Sequence, residues 1–491
     1  MSKYILGIDE GTTSVRVGLF DVDKKCLIDI VHKKIDVFLP HEAWVEQDGN
    51  QIFSATENLI KDIVLKNNTS ASDILAISIT NQRETTLAWD KTTGECVYPA
   101  INWQCRRTAK IVEDLDENQK TYLKNTTGLI PDAYFSASKI KWLCQNNAKV
   151  QQLAKENKLA FGTIESYLIF ALTKGKSFVT DVTNASRTML MSLETCSWDD
   201  GCLEIFGVDK NWLGKIVCND EVVGFYELDG VFIPICGVIG DQQASLFGQM
   251  CFESGECKVT YGTGCFLVMN TGKKILNNPF LLSTVGYKTK GQDTVYALEG
   301  SVFNAGSCID LLKDWELISD ASQIDTICQS VPDSGKIVFV PALTGLGAPY
   351  WDMGARAIFV GMTRATKKAH LVRAVVESIA FSCLDLLLEM QTDVGKIKQL
   401  KCDGGVSQSQ FLMQFQSDIA STKLTIPQDF EMTLLGSIYM TLLGMGICEQ
   451  KELKSMYKVK AKFLPNMDVD TIKRKYLRWR RAVLRSLRWA E

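Results

Sequence analysis

ILGIDEGTTSVR, residues 5–16, brings an apolar strand, an acidic strand end and a hydroxyl-rich turn together. The apolar run ends at Asp9, and Gly11 permits a tight turn because glycine adopts positive φ without Cβ strain. Residues 12–14 then offer hydroxyl and amide donors beside the carboxylate. A concave set of donors next to a carboxylate suits a polyphosphate that carries Mg²⁺. The same pattern also suits an ordinary hairpin with a polar turn, so this stretch alone supports both interpretations.

A second stretch, KVTYGTGCFLV at residues 258–268, repeats the outline of strand, Gly-Thr turn and strand. Two such turns far apart suggest a duplicated domain in which each half supplies one phosphate loop. A third glycine turn, Asp403-Gly404-Gly405, follows a predicted strand at residues 399–402 and precedes a helix. Such a turn can pack against a nucleotide, although most turns of this kind are only structural.

The length of 491 residues exceeds one typical core, so two large domains are expected. Strand and helix patterns alternate along most of the chain, which predicts the α/β class. We place the domain boundary near Gln249, which gives residues 1–249 and residues 250–491. Strands are predicted at residues 75–80 and 232–239. The predicted helices cover residues 51–64, 242–247, 432–448 and 473–489, and residues 367–391 with Thr366 as N-cap.

The composition argues against several classes of protein. A formal net charge of −3 argues against a general nucleic-acid binder, which needs a basic face. The 16 cysteines are scattered without a CxxC pair, which predicts free thiols in a reducing cytoplasm and no zinc site. We expect no signal peptide and no stable membrane insertion, because the longest uncharged stretch, residues 432–448, is too short to span a bilayer.

Two further features concern the general base and the tail. Only three histidines are present, and none lies in a glycine-rich or acidic motif, so the general base is expected to be a carboxylate. The basic tail at residues 473–489 is expected to pack on the second domain as a surface helix, with a peripheral membrane helix as the alternative.

Many short motifs, in order from Tyr4 to the tail, resemble those of the FGGY carbohydrate kinase family. The blocks that contain Arg83, Glu84 and Trp103 resemble the glycerol-phosphorylating members more than the wider family. The resemblance rests on DEGTTS (9–14), NQRETT (81–86), WQCRRT (103–108), YFSASK (134–139), TNASRT (183–188), GDQQ (240–243), YGTGCF (261–266) and GLGAPYW (345–351).

The resemblance implies two actin-like ATPase domains, ribonuclease H-like in fold, on either side of a deep catalytic cleft. It implies transfer of the γ-phosphoryl group of ATP to glycerol, with Mg²⁺, giving sn-glycerol 3-phosphate and ADP in glycerol catabolism. Family members often form homodimers or homotetramers, and the same is expected here.

For the nucleotide, the resemblance implies that the two Gly-Thr turns bind the phosphates. It implies that residues of the second half bind adenosine. Positioning and charge stabilisation do most of the catalysis in phosphoryl transfer. Asp9 is expected to hold Mg²⁺, directly or through water. The expected phosphate contacts are Thr12, Thr13, Ser14, Arg16 and Thr263, and the expected adenosine contacts are Gly306, Asp310, Gly405 and Ser409.

On the substrate side, Asp241 resembles the catalytic base that accepts the proton of the attacked hydroxyl. A carboxylate suffices as the base if the proton moves late. From the residues alone, Asp241 could instead cap its helix. The set expected around the substrate comprises Arg83, Glu84, Tyr134 and Gln242 for the hydroxyls, Trp103 and Phe266 for the carbon edge, and Asp241 itself.

Three residues depart from the family pattern. Glu10 and Asp310 stand where glutamine is usual, and Ser409 stands where asparagine is usual. Glu10 is expected to add negative charge beside the phosphate loop, and the other two bear on base and ribose recognition. Two alternative functions stay open, namely a kinase for another polyol or ketose, and a non-catalytic nucleotide-binding regulator on the same fold.

Overall fold

A computed structural model describes residues 3–490, which form two α/β lobes with an insertion in the first. The strands are β1 (Tyr4–Glu10), β2 (Ser14–Asp21), β3 (Cys26–Lys34), β4 (Glu46–Gln47), β5 (Ile74–Asn81), β6 (Thr86–Asp90), β7 (Cys96–Ile101), β8 (Leu159–Gly162), β9 (Val179–Asp181), β10 (Met191–Ser192), β11 (Ser197–Trp198), β12 (Lys215–Val217), β13 (Gly224–Leu228), β14 (Val231–Gly240), β15 (Glu256–Tyr261), β16 (Cys265–Gly272), β17 (Leu282–Tyr287), β18 (Val295–Val302), β19 (Val338–Val340), β20 (Ile358–Val360), β21 (Gln399–Asp403), β22 (Leu424–Pro427) and β23 (Val459–Phe463). The α-helices are α1 (Gly49–Lys66), α2 (Ala109–Glu113), α3 (Glu117–Thr127), α4 (Ser136–Asn146), α5 (Ala148–Lys155), α6 (Ile164–Leu172), α7 (Val182–Ala185), α8 (Asp200–Phe206), α9 (Asp241–Gly248), α10 (Gly306–Asp314), α11 (Ile324–Gln329), α12 (Lys368–Val394), α13 (Gln410–Ala420), α14 (Met432–Gly444), α15 (Gln450–Leu453) and α16 (Val469–Ser486).

The first lobe is built on a six-stranded sheet with the order β13-β14-β5-β1-β2-β3. β1 and β2 pair antiparallel with Glu10 opposite Val15, which confirms the first predicted hairpin. β5 runs parallel to both β1 and β14. Because the carboxyl ends of parallel strands meet at one edge of a sheet, the residues that end these three strands lie at the same edge.

The second lobe has a seven-stranded sheet with the order β17-β18-β16-β15-β21-β22-β23. β15 and β16 form the second predicted hairpin, with Tyr261 opposite Cys265. β15, β21 and β22 run parallel. Each sheet therefore contains a run of antiparallel strands, two further strands parallel to the first strand of that run, and an antiparallel edge strand; the antiparallel run is β1-β2-β3 in the first sheet and β15-β16-β18-β17 in the second. This shared arrangement confirms the prediction of a duplicated α/β fold.

Helices α9 and α14 cross where the two lobes meet. α9 packs on β16 and β17 of the second sheet, whereas α14 packs on β1, β5 and β14 of the first. Their backbones are very close, because a Cβ on Gly436 would lie 1.8 Å from the Ala244 carbonyl oxygen and a Cβ on Gly248 would lie 2.2 Å from that of Met432. The boundary near Gln249 falls between the strands of the two sheets, but α14 returns to the first sheet, so the boundary stays a prediction.

One predicted helix start is wrong. α12 has Lys367, not Thr366, as its N-cap. The Thr366 hydroxyl instead accepts a hydrogen bond of 2.9 Å from the Thr363 backbone N–H, which closes the preceding turn. The predicted apolar face of α12 is confirmed as buried, namely Val372, Val375, Val376, Ile379, Cys383, Leu386 and Leu387.

The other predicted elements are confirmed as β5, β14, α1, α9, α14 and α16. α16 packs on the second lobe, where Trp479 stacks on Phe381 with ring centroids 5.5 Å apart. All 16 cysteines, which lie within the described residues, are free. Between residues 3 and 490, no helix has the length and apolar character needed to cross a membrane.

Candidate active site

Three charged residues lie where the parallel strands of the first sheet end. Asp9 is near the end of β1, Arg83 follows β5, and Asp241 directly follows β14. Arg83 Nε forms an ion pair with Asp241 Oδ1 at 3.0 Å, and the Arg83 side chain is 2% exposed while that of Asp241 is 28% exposed. The N-cap of α9 is Gly240, so Asp241 is not the cap of its helix. The site therefore presents a partly exposed carboxylate that a buried guanidinium holds in place.

A buried network of four charged side chains extends this pair into the second lobe. Arg83 binds both carboxylate oxygens of Glu299 on β18, at 2.6 and 3.0 Å. Arg187 binds Glu299 at 3.0 Å and Glu84 at 2.7 Å. Burial raises the pKa of Glu299, but Arg187 and Arg83 outweigh burial and lower that pKa to about 2. Glu299 is therefore an ionised residue that joins the lobes beneath the candidate substrate site.

The backbone at Glu84 has an unusual conformation, with φ 62°. Its carbonyl oxygen accepts a hydrogen bond of 2.9 Å from Lys139 Nζ, and the same ammonium donates to the Tyr134 carbonyl oxygen at 2.7 Å. Burial lowers the pKa of Lys139 to about 7. A left-handed conformation costs roughly 1–3 kcal/mol outside glycine and persists only where the surroundings enforce it. Lys139 therefore fixes the positions of two predicted substrate residues.

The first turn is linked directly to the predicted apolar wall of the substrate site. The Gly11 N–H donates to the Ser14 carbonyl at 3.0 Å, which closes the turn. Trp103 Nε1 donates to Thr12 Oγ1 at 2.9 Å, and the Trp103 ring meets Tyr134 edge-on at 5.7 Å. A predicted phosphate contact and a predicted substrate contact are thus adjacent.

Charged groups from both halves of the chain surround Asp9. Burial raises the pKa of Asp9 to about 7; Arg16 acts to lower it, and the Glu431 and Asp241 carboxylates act to raise it. Arg16 binds Glu431 at 2.8 Å, and Glu431 directly precedes α14. Thr13, in the turn that follows Asp9, is exposed.

Glu10 is the last residue of β1, next to the predicted phosphate turn. Its side chain is fully buried, and Gln82 Nε2 lies 3.2 and 3.1 Å from the two carboxylate oxygens. Burial raises the pKa of Glu10 well above its ordinary range, with the Gln82 hydrogen bond opposing. Burial and the Gln82 contact thus act on this carboxyl in opposite directions, and the extra negative charge expected from Glu10 stays a prediction.

The second turn is attached to the start of α10. The Gly306 N–H donates to the Gly262 carbonyl at 2.9 Å, and the Ala305 N–H donates to the Thr263 carbonyl at 2.8 Å. A Cβ on Gly306 would lie 2.6 Å from the Gly262 carbonyl oxygen, so only glycine permits this approach. Thr263 itself is exposed. The predicted phosphate contact and the predicted adenosine contact are therefore neighbours.

The third glycine turn follows β21. Gly404 has φ 88°, and a Cβ there would lie 2.4 Å from the Tyr261 carbonyl oxygen. Gly405 has no heavy atom within 4 Å of its Cβ position, which leaves room beside the turn. The turn is therefore tightly packed on one side and open on the other.

The two residues of the second lobe that depart from the family pattern, Asp310 and Ser409, form contacts with other residues of the protein. Asp310 is exposed on α10 and pairs with Lys313 at 3.1 Å. Ser409 is the N-cap of α13, where its hydroxyl accepts from the Leu412 N–H at 3.1 Å and donates to Asp325. The adenosine contacts of both residues stay predictions.

Gln242 lies beside Asp241, and its Nε2 donates to Asp241 Oδ2 at 3.1 Å. Lys258 Nζ, from β15, donates to Gln242 Oε1. Phe266 is half-buried on β16, opposite Thr260 in the hairpin. Both predicted substrate residues thus have contacts with the second sheet.

Sequence reasoning gave no role to Arg187, Glu299, Lys258 or Lys139. Arg187 stood inside a motif that was used only for the family resemblance. Glu299 is the single charge of the largely apolar strand β18, and Lys258 lies two residues after Glu256 in β15. A charged residue in a buried strand requires a polar partner, and this requirement could have drawn attention to these residues. The sequence does not identify the partner.

No cluster of three or more His, Cys, Asp or Glu that could hold a metal ion occurs in the described part of the chain. Asp9 is therefore a single carboxylate candidate. Mg²⁺ is commonly bound by one or two carboxylates together with substrate phosphates, so a single carboxylate is compatible with that ion.

Two family models match most of the chain. The N-terminal domain of the FGGY family of carbohydrate kinases matches residues 4–248, and the C-terminal domain of the same family matches residues 257–445. A glycerol kinase of Fusobacterium nucleatum is 44% identical over 100% of both chains. Glycerol kinase 2 of Thermotoga maritima is 43% identical over 99% of each chain.

Solved structures agree with this match. The crystal structure of Plasmodium falciparum glycerol kinase with ADP is 36% identical and covers 99% of this chain and 98% of its own, with a TM-score of 0.93. Xylulose kinase of Lactobacillus acidophilus has a TM-score of 0.89 at 24% identity, which supports the fold alone. The expected two-domain, actin-like fold is confirmed. The chain belongs to the FGGY family of carbohydrate kinases.

Proposed function

We propose that the chain transfers the γ-phosphoryl group of ATP to glycerol, giving sn-glycerol 3-phosphate and ADP. The observation that carries the proposal is the 3.0 Å contact of Arg83 with Asp241, because it places a charged donor and a partly exposed carboxylate together. Relatives named glycerol kinase that are 43–44% identical over nearly the whole chain support the choice of acceptor.

Glycerol needs hydrogen-bond partners for its hydroxyls and an apolar surface for its carbon edge. Arg83 and Gln242 donate to the hydroxyls, and the Glu84 carboxylate accepts from them. The Arg187 contact at 2.7 Å keeps that carboxylate in one orientation. Trp103 supplies the apolar surface, together with Tyr134 and Phe266.

Asp241 accepts the proton of the attacked hydroxyl as the bond to phosphorus forms. The transition state of phosphoryl transfer is loose, so the proton leaves late and a weak base suffices. The donors of residues 12–14 and of Thr263 hold the phosphates in line with the acceptor. Arg16 contributes positive charge near the transferred group.

The residues around Asp9 fit Mg²⁺, because burial and the neighbouring carboxylates of Glu431 and Asp241 act to raise its pKa and a cation would relieve this repulsion. Asp9 would hold the ion, directly or through water. When bound with ATP, Mg²⁺ neutralises charge on the β- and γ-phosphates. Adenosine is assigned to Gly306 and Gly405, with Asp310 and Ser409 as further contacts.

The proposal is tested by following ADP formation with glycerol, erythritol, xylulose and gluconate in parallel. We expect kcat/KM for glycerol to exceed that for each other acceptor by at least about tenfold, since a missing or misplaced hydroxyl leaves buried polar groups unpaired. Phosphorus NMR identifies the phosphorylated position. A preference for xylulose or erythritol would contradict glycerol as the substrate and leave the family assignment intact.

Assembly and location belong to the same proposal. We expect a homodimer or homotetramer in the cytoplasm, acting in glycerol degradation. The 16 free cysteines fit a reducing compartment. Light scattering of the purified chain measures the assembly, and a monomer at micromolar concentration would contradict it.

A further inference from the structure

Lys258 is a buried cation of the second lobe. It lies on β15 with its side chain inaccessible to solvent, and it takes part in none of the ion pairs found among residues 3–490. Its ammonium group donates to Gln242 Oε1 and to Thr260 Oγ1, the latter at 3.0 Å. Burial of an ammonium group without a direct carboxylate partner is costly, so this placement calls for an explanation.

The Lys258 contact determines which way the Gln242 amide points. An ammonium group can only donate, so it must face the amide oxygen. The Asp241 carboxylate can only accept when ionised, so it must face the amide nitrogen. Both conditions are met at once, because Gln242 Nε2 lies 3.1 Å from Asp241 Oδ2.

One ion pair and two hydrogen bonds then hold the Asp241 carboxylate. Arg83 Nε reaches Oδ1 at 3.0 Å, the Gln242 backbone N–H reaches Oδ1 at 2.6 Å, and the Gln242 side chain reaches Oδ2. Of these three, only the side-chain contact depends on a rotatable amide. If that amide turned over, its oxygen would face the carboxylate and repel it.

We propose that Lys258 is a positioning residue for phosphoryl transfer, which orients the Gln242 amide and through it the Asp241 carboxylate. Lys258 comes from the second sheet and Asp241 from the end of a strand of the first. The second lobe thereby controls the orientation of the base. This inference rests on the proposed function only in that Asp241 acts as the base.

The test is a double-mutant cycle of Lys258→Met and Gln242→Ala, with kcat and both KM values measured for all four proteins. Lys258→Met alone is expected to lower kcat by about tenfold to a hundredfold, the size expected for a lost charge-assisted hydrogen bond, with KM for ATP unchanged. In the Gln242→Ala background the same change is expected to lower kcat by less than about threefold, because the amide through which Lys258 acts is absent.

Thr260→Val is the matched control, since it removes the other acceptor of the same ammonium group and keeps the contact between Gln242 and Asp241. It is expected to retain kcat within about threefold. Lys258→Arg keeps a cation and is expected to recover part of the lost kcat. If Lys258→Met does not fold, the comparison of Lys258→Arg with parent in the same two backgrounds provides the cycle.

Equal losses in the two backgrounds would overturn the inference, because Lys258 would then act independently of Gln242. An unchanged kcat in Lys258→Met would overturn it as well. If the parent enzyme prefers another acceptor than glycerol, the cycle is run with that acceptor. Failure of the proposed substrate and failure of this inference are therefore distinguishable.

Discussion

Among single residues, Asp241 is the one whose substitution is expected to affect the chemical step with the least effect on the surrounding structure. Its carboxylate is held by Arg83 at 3.0 Å and is still 28% exposed, so it can meet an acceptor. Arg83, in contrast, is buried and also binds Glu299. Substitution of Arg83 would therefore disturb the buried ion network as well as the substrate, whereas substitution of Asp241 is the cleaner change.

Asp241→Asn is expected to lower kcat by roughly 10²–10⁴-fold, because the amide cannot accept the proton of the attacked hydroxyl. ADP affinity is expected to stay within about twofold, since the amide oxygen can still accept from Arg83. Coupled ADP detection measures kcat, and calorimetry measures ADP binding. Activity within a few-fold of the parent would remove Asp241 from the role of base.

The crossing of α9 and α14 is the most constrained feature at the scale of elements. The uncharged stretch at residues 432–448 predicted a buried helix, but the sequence did not predict which helix its glycines would contact. Gly436 lies against the Ala244 carbonyl of α9 and Gly248 lies against the Met432 carbonyl of α14. The two helices thus touch through their backbones, and this contact joins α9, which packs on β16 and β17 of the second sheet, to a helix that packs on the first sheet.

Gly436→Ala is expected to lower the free energy of unfolding. Overpacking costs about 1–3 kcal/mol or more, and here the added Cβ would meet a backbone carbonyl that cannot rotate away. That cost exceeds the gain of about 1 kcal/mol from replacing glycine in a helix. Urea unfolding measures the change, with Thr433→Ala on the same helix as control. A Gly436→Ala variant as stable as the parent would show that the helices can separate without penalty.

At the scale of the whole molecule, the candidate active site depends on ion pairs that join the two lobes. Glu299 of the second sheet pairs with both Arg83 and Arg187 of the first lobe, and all three side chains are at most 2% exposed. Removal of one partner from a buried ion pair leaves an uncompensated charge. The fit of the lobes and the geometry of the substrate site are thus set by the same residues.

Glu299→Gln is expected to lower the free energy of unfolding by about 3–5 kcal/mol at neutral pH. The folded pKa of Glu299 is about 2, below the ordinary 4.5, so its stabilisation is present above about pH 4.5 and is lost as the pH falls toward 2. The difference between parent and variant is therefore expected to stay constant from about pH 7 to about pH 4.5 and to shrink as the pH falls from about 4.5 toward 2. Urea midpoints at several pH values measure it.

The exposed Glu253, paired with Lys398 at 3.2 Å, supplies the control. Glu253→Gln is expected to leave the urea midpoint unchanged at each pH, because solvent screens surface pairs. A Glu299→Gln difference that stays constant with pH would contradict an ionised, paired Glu299 in the folded protein.

The local features of this protein follow from its amino-acid sequence. Strand-ending acids, Gly-Thr turns and helical periodicity depend on neighbours in the chain, so the hairpins, the face of α12 and the positions of Asp9 and Asp241 were predictable. The expected positive φ of Gly11 was wrong, because Gly11 is not among the glycines with positive φ. The tertiary structure alone decided the contacts between distant residues. Arg83 and Glu299 are 216 positions apart, and Lys258 reaches Gln242 from another sheet. Such pairs form only when packed lobes exclude water around them, which no local pattern encodes.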